Sequence, residues 1–242
     1  MDEYDRIARL APAYLTLFPL LVLVIALFGR EDWWQQIIAV VVATGIPVLL
    51  SDVVRQLGKT NQAELFDNWG GTPTTQFLRH HPSTSNDQEN NAVLRAERHL
   101  HVQRITGLTL PTAEEEQADA TTVAIYDAAI ALLRPYANQQ HLVSRENAHY
   151  GFWRNLYGLR MYVIITGAVG FAASCILFCL DVQDMFNTSK PWLVFEAALS
   201  LFWIALAVWV ITESSVKRAA NNYAREVLQS LPLLPSKTTD NA

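Results

Sequence analysis

An all-α membrane protein, with four transmembrane helices in two hairpins flanking a helical cytosolic domain, is the architecture this sequence predicts. Three observations carry it. Four long stretches are nearly free of charge, so hydrophobic residues reach 51% while charged residues fall to 17%, below the roughly 25% usual for soluble domains. No strand-like alternation of useful length appears, whereas apolar residues of the polar middle segment recur at helical spacing. Of eighteen Lys and Arg, only Arg30 and Lys190 lie in the short links between apolar stretches, which places both termini and the middle segment on the cytoplasmic side. The expected division is residues 1–52 for the first hairpin, 53–158 for the cytosolic domain, 159–214 for the second hairpin and 215–242 for a C-terminal tail.

The first span is Leu10 to Phe28, about nineteen residues without a charge, enough to cross a hydrocarbon core of roughly 30 Å. No small-residue cleavage site follows, so the stretch reads as a retained anchor. Pro12 sits where a first helical turn tolerates it, and Pro19 falls inside and is expected to kink the helix. Gly29 to Asp32 makes a turn, Trp33 and Trp34 mark the membrane boundary, and Ile37 to Leu50 returns with Pro47 inside. In the second hairpin, Met161 to Leu180 carries Gly167, Ala168, Gly170 and Ser174, small residues that let a neighbouring helix approach. Asp181 to Lys190 links it to Trp192 to Thr212. Glu196 is the ionisable residue inside a span, one turn from its outer edge, open to snorkelling or to a relay role.

The middle segment predicts helices throughout. Val53 to Asn68 continues the second span into the aqueous phase, and Trp69-Gly70-Gly71 breaks it. Thr72 is an N-cap with Pro73 at the first position of a short helix through Arg79. Asp87 to Thr106 forms a helix with Val93, Leu94, His101 and Val102 along one side, ended by Gly107. Thr112 and Glu115 form a capping box. Val123, Tyr126, Ala129, Ile130 and Leu133 make an amphipathic stripe stopped before Pro135. Leu142 to Tyr157 runs without a breaker into the third span, and the chain after Leu228 is expected to be loose.

Composition narrows the chemistry. The net charge is −5 and no Lys or Arg run forms a patch for nucleic acid. Cys175 and Cys179, four apart in an apolar run, suit packing rather than a disulfide or a metal. No cofactor loop, metal motif or catalytic triad is present, so no cofactor, metal or catalytic residue is assigned. Arg95-x5-His101 matches the loose Arg/His pattern of helical ribonucleases, a spacing that occurs in almost any helix.

Two patches suit ligand binding. In the first, Trp69, Gly70, Gly71, Thr72, Thr74, Thr75, Arg79 and His80 combine close backbone approach, hydroxyls and N–H groups at a helix start with a guanidinium and an imidazole, a set fit for an anion. The plainer alternative is a capped helix after a tight turn, with Trp69 in the core and Arg79 paired to a carboxylate. In the second, Asn147, Tyr150, Arg154 and Asn155 share part of a helix face beneath the membrane. They line a site with Arg79, or they belong to an anchor in which Trp153 and Tyr157 sit at the interface and Arg154 and Arg160 bond lipid phosphates.

Leu65-Phe66-x-x-Trp69-Gly70-Gly71-x-Pro73-Thr74-Thr75-x-x-Leu78-Arg79-His80, with Glu146-Asn147-x-x-Tyr150-Gly151-Phe152-x-Arg154-Asn155, resembles a family of uncharacterised bacterial four-span inner-membrane proteins. That resemblance implies a multi-pass inner-membrane location and no particular activity. The layout of two hairpins around a cytosolic domain is also similar to four-span effectors of anti-phage systems, an analogy of architecture alone. The expectation is a protein whose cytosolic domain binds an anionic small molecule or a protein partner and couples it to the bundle in the bilayer, as a homo-oligomer, with enzymatic activity left open. A membrane scaffold and a membrane-anchored hydrolase or nuclease are the alternatives.

Overall fold

The structure is a computed structural model that describes residues 4, 6–28, 46–80, 91–180 and 189–236, the side chains of residues 26, 28 and 46–50 excepted. All regular structure among these residues is helical. A turn of π-helix (Arg6–Leu10) leads into α1 (Ala11–Phe28), followed by α2 (Ile46–Trp69), α3 (Pro73–Gln76), α4 (Ala92–Thr106) and α5 (Ala113–Ala118). Then come α6 (Val123–Ala137), α7 (His141–Gly158), α8 (Arg160–Cys179), α9 (Lys190–Trp209), α10 (Glu213–Gln229) and a 3-10 turn (Leu231–Leu233). Two compact units result, Met1–Asn61 with Gly151–Val216, and Gln62–Tyr150 with Lys217–Ala242. The division falls inside α2, α7 and α10, so each part of those helices is described with its own unit.

In the first unit, three helical stretches are long and apolar enough to cross a membrane: Arg6–Ile25, Arg160–Cys179 and Lys190–Trp209. The second expected span, Ile37 to Leu50, lies outside the described residues as far as residue 45, as do the links 29–32 and 181–188 and the pair Trp33 and Trp34. Helices α8 and α9 pack closely because glycine leaves room. A Cβ at Gly167 would lie 2.8 Å from Ile204 Cγ1 and 3.2 Å from the Ser200 carbonyl oxygen. Ile165, Val169, Ile176, Val194, Leu201 and Phe202 point outward and exposed, the surface a lipid-facing helix needs.

The two prolines of the first span explain how it is held. A proline removes the N–H that would serve the carbonyl four residues earlier, and in hydrocarbon no water replaces it. Pro12 leaves the Ala8 carbonyl, and Asn155 Nδ2 donates to it at 2.6 Å. Pro19 leaves the Leu15 carbonyl, and Trp203 Nε1 donates to it at 2.6 Å. The Thr166 hydroxyl donates to the neighbouring Thr16 carbonyl at 2.7 Å. Thus α1 stays helical through Pro19, and side chains of α7, α8 and α9 grip it where its own ladder is interrupted. Trp203→Phe keeps most of the packing and strands the Leu15 carbonyl, at an expected cost of about 1–3 kcal/mol. Thermal unfolding in detergent measures this, and an unchanged midpoint would mean that the indole N–H is dispensable.

Asn155, 1% exposed, sits where three segments meet. Gly151 faces Ala8 and Tyr4, while Gly158 and Gly58 let the backbones of α7 and α2 touch. Arg154 donates to Asn155 Oδ1 at 3.0 and 3.2 Å. At the far end, Arg160 donates to the carbonyls of Ala207 and Val208 at 3.0 and 3.3 Å, closing the C-terminal turn of α9. Both guanidiniums that suited lipid phosphates are therefore directed at acceptors of the chain.

The second unit is built on α6, whose Tyr126, Ala129, Ile130 and Leu133 are buried at the predicted spacing. Here α6 continues through Pro135 to Ala137 instead of stopping before it. The proline lies in the last turn, the carbonyl it leaves belongs to exposed Ala131, and the Asn138 N–H closes the end on Arg134 O at 3.0 Å. Helix α4 ends at Gly107 in a left-handed conformation, as expected, and is capped by Asn91 ahead of Ala92, while the expected start from Asp87 to residue 90 lies outside the described residues. Its buried side is Arg95, Arg98, Val102, Ile105 and Thr106, while Val93 is 78% exposed. The capping box of Thr112 and Glu115 is present in both directions.

The largest departure is the C-terminus. Glu213–Gln229 is a helix, and Ala220, Tyr223, Ala224, Val227 and Leu228 form its buried stripe in the second unit. The chain beyond it is not loose as far as Ser236. Leu231 and Leu234 are buried, and Arg104 Nη2 donates to their carbonyls at 3.1 and 3.3 Å. The signal was present in the residue order: Val216, Ala219, Ala220, Tyr223, Ala224, Val227 and Leu228 recur at spacings of three and four among charged and polar residues, so this helix is amphipathic by pattern.

Candidate functional site

Helix α2 ends in a Schellman arrangement: the Gly71 N–H bonds to Phe66 O at 2.8 Å and the Gly70 N–H to Asp67 O at 3.1 Å. Both glycines have positive φ, 77° and 124°, which other residues rarely adopt. A Cβ on Gly71 would also meet Gln76 Nε2, whose amide donates to the Gly70 carbonyl. Thr72 then caps α3, with Pro73 at its first position, as the residue order predicts. Trp69 is buried, with Phe66 beside it and Lys217 Nζ 5.9 Å from its ring centroid.

The stretch gathers around two carboxylates of the chain itself. Thr75 Oγ1 donates to Asp127 Oδ1 at 2.6 Å and accepts from Thr72 Oγ1 at 2.9 Å. Arg79 Nε donates to Glu116 Oε1 at 2.8 Å, and the His80 backbone N–H donates to Glu116 Oε2 at 2.8 Å. Tyr126 OH, 3.0 Å from the same Oε2, completes a three-donor cradle for a carboxylate that is 7% exposed. Burial, then the adjacent carboxylate, raises the Tyr126 phenol above its usual range, so it remains a donor.

His99 borders the cluster. Its Nε2 lies 2.7 Å from the Leu78 carbonyl, which can only accept, so the proton is on Nε2. The ring stands edge-on to His80 at 5.0 Å between centroids and 6.0 Å from Tyr126. Burial lowers the His99 pKa, and the charges of His80 and Arg95 add to the effect. With the folded pKa below the unfolded value of 6.5, the unfolded chain takes up the proton first. The resulting stability is present above pH 6.5 and is lost as pH falls through the folded pKa. His99→Gln, which keeps a donor for Leu78, should flatten the stability–pH curve below about pH 6.5. Chemical denaturation across this range is the check, and an unaltered slope would show that another group titrates.

Of the residues suited to a ligand, Trp69, Gly70, Gly71, Thr72, Thr74, Thr75, Arg79 and His80 are thus brought together. Asn147 and Tyr150 belong to the same unit on α7, where Tyr150 stacks on Tyr223 at 6.3 Å. Arg154 belongs to the other unit, bonded to Asn155. Sequence reasoning missed Glu116, Asp127 and Tyr126 as polar partners. One signal existed: once Glu115 is tied to the Thr112 cap, Glu116 must point about 100° around the helix.

The second polar site lies between α8 and α9. Glu196 does not snorkel: it is 0% exposed and turned toward α8. Its oxygens lie 3.0 and 3.1 Å from Ser200 Oγ, and Oε2 lies 3.3 Å from Ser174 Oγ. A Cβ on Gly170 would come 2.5 Å from Ser200 Oγ and 2.9 Å from Glu196 Oε1. Among the described residues no group of three or more His, Cys, Asp or Glu is placed to hold a metal ion. Compared with protein-family models, curated proteins and solved structures, the chain matches none.

Proposed function

We propose that the chain is a multi-pass protein of a bacterial inner membrane whose helical second unit, on the cytoplasmic side, binds an anionic small molecule or an acidic protein partner. The bound state is passed to the helices in the bilayer, and the protein works as a homo-oligomer. One observation carries this reading. Arg79 commits Nε to Glu116, makes no other hydrogen bond among the described residues, and keeps 16% side-chain exposure. A guanidinium has five N–H donors in a rigid fork, so its outer edge suits a second anion.

An anion there shares Arg79 with Glu116. Because Glu116 also holds the His80 amide and Tyr126, any weakening at Arg79 is felt by the segment before α4, by α5 and by α6. Three long apolar helices support the membrane placement, and the distribution of Lys and Arg supports the orientation.

Thermal unfolding of the full chain in detergent, with inorganic phosphate and then pyrophosphate as probes, tests the anion site. Ligand at a hundredfold excess over its Kd should stabilise the wild type by about 2.7 kcal/mol. That increment should vanish in Arg79→Ala and shrink in Arg79→Lys. No increment in the wild type, or an equal one in Arg79→Ala, overturns the assignment.

A further inference from the structure

We infer that Glu196, with Ser174 and Ser200, forms an exchangeable-proton site within the bilayer, a pocket that takes up and releases one proton. The inference rests on α8 and α9 crossing a membrane and is independent of what binds at Arg79.

The pocket accommodates both forms of the carboxyl. A serine hydroxyl offers one donor and two acceptor lone pairs and rotates to suit its neighbour. Beside an ionised carboxylate, the hydroxyls of Ser174 and Ser200 donate. Beside the neutral acid, one of them turns to accept its O–H while the other still donates. The distances of 3.0 to 3.3 Å serve both states, so no heavy atom has to move. The proton comes from water and returns to it, without a redox partner or co-reactant.

Among the described residues, nothing positioned nearby would hold a fixed charge there. Among the described residues Glu196 has no ion pair. Lys190, on the first turn of the same helix, lies with Nζ 5.8 Å from the Phe178 ring centroid. On the helices packed against α9, the titratable or charged groups are Arg160, Tyr162, Cys175 and Cys179 of α8 and Tyr14 of α1. None of these is hydrogen-bonded to Glu196, and Arg160 is held by carbonyls at the opposite end of α9. A structural role alone would be served better by an apolar residue, since an ionisable group in a span is costly. Yet the helix pair makes room for this one, because any side chain at Gly170 would overlap both Ser200 Oγ and Glu196 Oε1. Six residues past Lys190 puts Glu196 about 9 Å along the axis from the helix start, within reach of the aqueous edge.

The test uses the full chain in phosphatidylcholine vesicles, treated with dicyclohexylcarbodiimide, a membrane-soluble reagent that modifies protonated carboxyls. Mass spectrometry reads the label on the peptide containing Glu196 from about pH 5 to about pH 9. Labelling should follow a one-proton titration, falling about tenfold per pH unit beyond the midpoint. It should be absent in Glu196→Gln, and its midpoint should move in Ser174→Ala and Ser200→Ala. The wild-type titration stands even if a variant fails to fold. Carbonate extraction of the protein overturns this inference together with the membrane placement. Retained insertion, with labelling at Glu196 that is flat across pH or absent, overturns this inference alone.

Discussion

Glu116→Ala is expected to lower the stability of the second unit by about 3–5 kcal/mol, the range seen when one partner of a buried ion pair is removed. The carboxylate accepts from Arg79, the His80 amide and Tyr126, and three separate segments lose their common acceptor at once. An orphaned buried donor costs about 1–3 kcal/mol, so the amide and the phenol alone account for much of the loss. Glu116→Gln should be milder, since its amide oxygen still accepts, although its NH2 then faces a donor. Hydrogen exchange localises the effect: amides of α5 and α6 should lose protection while those of α8 and α9 keep theirs. A double-mutant cycle with Arg79→Ala should show coupling above about 1 kcal/mol. Additive losses would mean that the 2.8 Å contact is incidental.

The second large effect is expected at Gly158. An alanine there brings Cβ to 2.8 Å from the Leu57 carbonyl carbon and 2.9 Å from both Leu57 O and Gly58 N, all backbone atoms of α2. Replacing glycine within a helix ordinarily gains about 1 kcal/mol of propensity, and overpacking ordinarily costs about 1–3 kcal/mol. Because backbone cannot rotate aside as a side chain does, the steric cost wins, and Gly158→Ala should be clearly destabilising. Gly151→Ala is the matched control. Its Cβ would meet the Tyr4 hydroxyl at 3.0 Å, which can yield, and Ala8 Cβ at 2.9 Å, which cannot rotate aside, so it should cost less than Gly158→Ala without being neutral. Thermal unfolding in detergent should rank wild type first, Gly151→Ala next and Gly158→Ala last. An inverted order would show that α2 and α7 do not touch through these glycines.

Much of this fold was legible from residue order. Thr72 with Pro73, Thr112 with Glu115 and Gly107 mark the helix ends they predicted, because capping depends on a few neighbouring residues and little else. The α6 stripe was equally plain, since large apolar residues recur every third or fourth position. Helix α10 was legible by the same rule, with Val216, Tyr223, Val227 and Leu228 on one side of a charged segment, and the expectation of a tail there overlooked it. The inward face of α4 was misjudged because Arg95 and Arg98 are buried there, and charged residues are read as solvent-facing by default.

The candidate site divides in the same way. That Trp69 to His80 could cradle a negative charge followed from residue types alone, whereas the identity of the charge it meets did not. Glu116 lies thirty-six residues beyond His80 and Asp127 fifty-two beyond Thr75, and nothing local pairs them. Pro12 and Pro19 announced interrupted helix ladders, but only the packed bundle brings Asn155 and Trp203 to the released carbonyls.

By itself, then, the sequence determined that the chain is helical, where many of its helices begin and end, and that three of those described are apolar enough for a bilayer, because these properties arise within one or two turns. Tertiary structure alone decided which carboxylate answers Arg79, which side chains replace the amides missing at proline, and that Glu196 turns inward to two serines. Those outcomes depend on distances between segments far apart in the chain, and such distances exist only once the helices have packed.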